Sequence, residues 1–137
     1  MKNRADLAIG WLRKAQSDMV AMEASQTAGA LDAACFHAQQ AAEKYLKGFL
    51  AWSQIEFPYT HNLSKLVEIC AAIDPSFQSL LPIVESLTPF AVESRYDSEF
   101  WPELEVVESA KRSAEQVRNH ILDRAPAELS DLFRPRV

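Results

Sequence analysis

Residues 30–53, ALDAACFHAQQAAEKYLKGFLAWS, decide the fold. Leu31, Cys35, Ala38, Ala42, Tyr45, Leu46, Phe49 and Trp52 recur at three- and four-residue steps. That period places apolar side chains on one face of an α-helix. Alanines fill much of the face, so neighbouring helices can approach closely. Steps of 100° also gather Phe36, Gln40, Glu43, Lys44 and Lys47 on the opposite arc. A large aromatic in the middle of a polar arc needs a cover. Either another chain covers it, with Phe36, Gln40 and Glu43 as the contact face, or the core is wider than the stripe.

The flanking segments repeat the helical period. Before it, residues 3–25 carry Ala8, Trp11, Leu12, Ala15, Met19 and Met22 as one stripe, and Gly29 marks the turn. After it, Pro58 interrupts the pattern, because proline restrains its predecessor and has no N–H to donate. A short helix is predicted over 63–73, capped by Asn62, with Leu66, Ile69, Cys70 and Ile73 facing inward. Asp74-Pro75 reads as a cap and first-turn proline. The spacing of Leu80, Ile83, Val84, Leu87 and Ala91 predicts a helix over 76–96, starting late or kinked at Pro82 and Pro89.

The last long helix is predicted over 102–124, with Val106, Val107, Ala110, Ala114, Val117 and Ile121 in its stripe. Glu103, Glu105 and Glu108 at its start and Arg118 and Arg124 towards its end match the helix dipole. Beyond Pro126 the chain reads as a tail in which Leu129, Leu132 and Phe133 form at most one apolar turn. The predicted architecture is an all-α, antiparallel four-helix up-and-down bundle with one short inserted helix. It spans residues 1–125, and residues 126–137 follow as the tail.

The composition agrees. At 137 residues the chain is one ordinary domain, and only three glycines leave little material for the many tight turns of a barrel or sandwich. The net charge of −5 argues against a generic nucleic-acid binder, which needs a basic excess. Cys35 and Cys70 form neither a disulfide framework nor a metal set. No apolar run is long enough for a membrane span, and a cytoplasmic location without membrane contact is expected. No Glu-x-x-His pair, glycine-rich phosphate loop or paired-carboxylate site occurs, so no metal or cofactor is expected.

Three motifs together carry a family resemblance. They are FHAQQAAEKYLK at 36–47, Thr60-His61-Asn62-Leu63, and Ser94-Arg95-Tyr96. In order and spacing they resemble the HEPN pattern F-x-x-Q-Q-A-x-E-K-x-L-K, T-H-x-L and A-R-Y, over about residues 5–123. Ser94 departs from the usual alanine. The resemblance implies a bundle that commonly dimerises and is often encoded beside a minimal nucleotidyltransferase, in pairs similar to toxin–antitoxin modules. It also implies two activities found among relatives: nucleotide binding, and RNA cleavage by an arginine followed, after four to six residues, by a histidine.

The cleavage motif is absent. The arginine position ahead of His37 would be Ala30, Leu31 or Asp32; ahead of His61, Gln54, Ile55 or Glu56; ahead of His120, Ser113, Ala114 or Glu115. Arg112 precedes His120 with seven intervening residues, two helical turns away. The expectation is therefore a non-catalytic HEPN-type bundle, a homodimer that pairs with a nucleotidyltransferase. Lys44, Lys47, His61, Arg95 and Tyr96 would surround a nucleotide phosphate or RNA, cations neutralising charge and Tyr96 stacking on a base. Against that stands a structural reading, in which Thr60 or Asn62 caps a helix and His61 bonds across the bundle. Two alternatives remain open for function. One is a ribonuclease toxin with a divergent site built from Arg95, His61 or His120; the other is an interaction module with no ligand.

Overall fold

The computed structural model describes residues 2–134. All regular structure among them is helical. α1 spans Arg4–Ala28, α2 Leu31–Trp52 and α3 Leu63–Ile73. A 3-10 stretch, Pro75–Leu80, runs into α4 (Leu81–Glu85); α5 (Phe90–Tyr96), α6 (Leu104–Arg124) and α7 (Ala127–Phe133) follow.

Local chemistry sets the helix ends. Asn3 caps α1 by accepting from the Asp6 N–H at 2.9 Å. Gly29 stops α1 with φ of 85°, the left-handed conformation that closes a helix when no Cβ is in the way. One residue later α2 begins, and the two helices form an antiparallel hairpin. Arg4 lies over the Trp52 ring, 4.1 Å from its centroid, while Asp18 meets His37 and Lys44. Gly48 permits the close approach between them: a Cβ there would stand 2.9 Å from Leu12 Cδ2.

α2 is the central element. α1, α6, α5 and α3 all pack against it. Its predicted stripe is inside, with Cys35, Ala38, Ala42, Tyr45 and Leu46 buried, but so are Gln39, Ala41, Glu43 and Lys47. The arc opposite the alanines is thus not one solvent-facing side. The core is wider than the sequence stripe because α3 and the linker before it close over that arc.

The predicted helix over 76–96 is broken into three pieces. Pro75 opens the 3-10 stretch, Pro82 sits in the first turn of α4, and Pro89 is the residue before α5. Each proline lacks the N–H that would continue the preceding turn, so the chain restarts instead of kinking. Two expected core positions are also outside: Ile73 and Val106 are 44% and 40% exposed. The segment after Pro126 forms α7, whose Leu129 and Phe133 are buried on the α1 and α6 side. Residues 135–137 of the expected tail lie outside the described residues. No described helix is long and apolar enough to cross a membrane.

Candidate functional site

Gln39, Glu43 and Lys47 are four residues apart and line one edge of α2. The linker before α3 brings His61 to the same edge. His61 Nδ1 donates to Glu43 Oε1 at 2.8 Å, and Lys47 Nζ donates to Glu43 Oε2 at 3.0 Å. Gln39 Nε2 donates to the His61 carbonyl at 3.2 Å, and Gln40 Nε2 to Gln39 Oε1 at 2.7 Å. The Glu43 and Lys47 side chains are 4% and 5% exposed, whereas His61 is 43% exposed. The rings of Trp11, Phe57 and Tyr59 stand 5.3, 5.9 and 5.7 Å from the Lys47 ammonium. The Trp11 and Phe57 faces and the Glu43 carboxylate replace water that this buried cation has lost, while the Tyr59 ring stays exposed at the rim.

Capping holds His61 in place. Asn62 Oδ1 accepts from the Lys65 N–H, and Thr60 Oγ1 accepts from the Asn62 N–H. A carboxylate only accepts, so Nδ1 carries the proton in this bond, and the other edge of the half-exposed ring faces outward. The arrangement can exchange a proton at the surface through His61. Its cation, Lys47, is neutralised by Glu43.

A second cluster lies further towards the start of α2. Asp18 accepts from Lys44 Nζ at 2.6 Å and from His37 Nδ1 at 2.9 Å. Beside it, the Arg95 guanidinium lies 4.9 Å from the Phe36 ring and 4.9 Å from the Tyr96 ring. Arg95 Nε donates to the Ala91 carbonyl, which fixes the stack on α5. Phe36 is half-buried, Tyr96 is 72% exposed and Val92 is 60% exposed. Ser94 Oγ is buried with no hydrogen-bond partner among the described residues.

The third histidine is placed elsewhere. His120 Nε2 lies 3.1 Å from Ser76 Oγ, and Arg124 Nε reaches the same oxygen at 2.7 Å and Asp74 Oδ2 at 3.2 Å. Burial first, and Arg124 second, push the His120 imidazole below its ordinary value. Hydrogen bonds from Ser76, with Arg124 nearby, hold the Asp74 carboxyl low.

The five residues expected around a nucleotide are therefore divided. Lys47 and His61 belong to the Glu43 cluster, Lys44 is tied to Asp18, and Arg95 and Tyr96 stay at the surface beside Phe36. Of the expected contact face, Phe36 remains accessible, while Glu43 is buried within its own subunit. Sequence reasoning missed Asp18 and the ring of Trp11, Phe57 and Tyr59. Asp18 left a signal: it stands on the apolar face of α1, between Ala15 and Met22.

Among known proteins, the family model for the HEPN domain matches residues 8–124, which include all the motifs above. No curated protein and no solved structure matches the chain.

Proposed function

This chain belongs to the HEPN domain family, and on that premise we propose that it is a non-catalytic bundle acting through protein contacts. In this reading it dimerises and pairs with a minimal nucleotidyltransferase, in a module of toxin–antitoxin type, as a four-helix-type scaffold organised on α2. The observation that carries the reading is the accessible stack of Phe36, Arg95 and Tyr96, flanked by exposed Val92. Tyrosine and arginine are enriched at interface hot spots, and aromatic rings such as Phe36 at interface cores. The lysines contribute less: Lys44 and Lys47 already hold carboxylates. Any nucleotide contact in this proposal falls to Arg95 and Tyr96.

The test is analytical ultracentrifugation of the chain alone and mixed with any minimal nucleotidyltransferase found encoded beside it. Phe36→Arg and Tyr96→Glu are expected to release monomer and to weaken the complex at least tenfold. A wild-type chain that stays monomeric at high concentration, with both variants behaving identically, would sink the reading.

A second reading has its own support. Glu43 orients an imidazole whose outer edge is accessible, the arrangement of a general acid or base. In that case the chain cleaves RNA through His61 despite lacking the arginine motif. Incubation with cellular RNA, beside His61→Ala and His120→Ala, decides it. Cleavage lost only with His61→Ala would establish this alternative.

A further inference from the structure

A pocket of about 530 Å³ opens between α1, α6 and α7, and none of the three histidines lines it. That size lies within the range of small-molecule sites. Its apolar wall is Met19 and Val20 from α1 and Leu132 and Phe133 from α7. Val20 and Leu132 are 65% and 60% exposed, although they line a concave surface.

The polar lining is specific. Tyr45 reaches the pocket from α2; the residue is 1% exposed, and its hydroxyl has no hydrogen-bond partner among the described residues. Burial, aided by Asp18 and opposed by Arg118, pushes this phenol up to about 12, so it remains a hydrogen donor at neutral pH.

Arg118 and Glu115 also line the pocket, three residues apart on α6 and both half-buried. Neither lies within ion-pair distance of an opposite charge among the described residues. Arg118 Nε bonds only to the neutral Asn119 side chain, at 3.1 Å. The other charges at the rim are satisfied: Glu23 by Lys111 at 2.6 Å, and Arg134 by Asp123 at 2.9 Å. What remains among the described residues is a cation and an anion one turn apart, neither in a direct ion pair although Lys111 feels Glu115 from a distance, beside a phenol and an apolar wall.

We propose that this pocket binds a free α-amino acid with a large apolar side chain. Its carboxylate sits on Arg118 and the Tyr45 hydroxyl, its ammonium on Glu115, and its side chain against Met19, Leu132 and Phe133. Residues three apart on a helix carry their side chains as neighbours, which suits two opposite charges borne on one ligand carbon. An anion alone would leave Glu115 without a direct partner, and a cation alone would leave Arg118 without one.

The test is an NMR titration of the full chain with L-phenylalanine, 2-phenylethylamine and 3-phenylpropionate. Phenylalanine is expected to shift the Met19 and Leu132 methyl resonances and to bind about tenfold more tightly than either analogue, each of which lacks one charge-assisted bond. Arg118→Gln should erase the preference over 2-phenylethylamine, and Glu115→Gln the preference over 3-phenylpropionate. Tyr45→Phe, which keeps the buried ring, should weaken phenylalanine several-fold. Equal binding of the three compounds, or no shift at millimolar phenylalanine, overturns the proposal. So does a dimer that Leu132→Glu dissociates while phenylalanine leaves the pocket resonances unmoved, since the groove would then be an interface between copies.

Discussion

Two histidine–carboxylate clusters sit along α2, and they differ in depth. At Glu43 and Lys47 both charges are buried, with the rings of Trp11 and Phe57 near the ammonium and the exposed Tyr59 ring at its outer side. Of the Glu43, Lys47 and His61 side chains, only His61 reaches solvent. At Asp18 the carboxylate is buried, but Lys44 and His37 are 22% and 28% exposed. The same chemical parts therefore carry different consequences. In the deep cluster each charge depends on the other, because water is not there to replace a lost partner. In the shallow one, water can take over part of the solvation. The deep cluster fixes the linker against α2; the shallow one braces α1 beneath the accessible stack.

The sharpest way to break this comparison is to remove one charge from the deep pair. Glu43→Ala leaves the Lys47 ammonium buried without a counter-ion, and a loss of roughly 3–5 kcal/mol is expected in denaturant unfolding. The double change Glu43→Leu with Lys47→Met should be less destabilising than Glu43→Ala alone, since no uncompensated charge remains. If the double variant is the worse of the two, the ion pair is a net contributor and the depth argument fails. Asp18→Asn at the shallow cluster should cost about 1–2 kcal/mol, because Lys44 and His37 can turn to water. Equal losses at Glu43 and Asp18 would erase the distinction.

A smaller effect sharpens the same contrast. Asn62→Ala removes the cap that holds the start of α3 beside His61, and about 1 kcal/mol is expected. The loss should fall mainly on the deep cluster. In NMR the His61 ring resonances should move while those of His37 stay in place.

The depth difference explains what the sequence could and could not reveal. Periodicity located α1, α2, α3 and α6 and most of their buried faces, because a helix repeats its environment every turn. It placed Glu43 and Lys47 on a polar arc for the same reason: charge alone marks a residue as outward. Burial of a charge is decided by residues distant in sequence, here Trp11, Phe57 and His61. No local pattern encodes that. The opposite error occurred at Ile73 and Val106, apolar residues at the edges of their stripes that remain exposed. The family motifs named several members of both clusters, but they did not say which would meet.

His120 supplies a histidine with no carboxylate bonded to its ring, and it gives the smallest and most specific test. Burial and Arg124 depress its folded value below the ordinary 6.5, while Asp74 and Asp123 oppose them. The folded protein therefore favours the neutral ring, which accepts the Ser76 hydroxyl. Above pH 6.5 this contribution to stability is fully present, and it is lost as the pH falls through the depressed value. Asp74 has the same sign at lower pH, its contribution fading only below the ordinary 3.8. His120→Gln removes the first step and leaves the second. The stability gap between wild type and variant should be widest near neutrality and should close as the pH falls below 6.5. A gap that stays constant from pH 7.5 to 5 would show that the His120 ring is solvated as an ordinary surface group, and that the Ser76–Arg124 contact holds the 3-10 stretch without it.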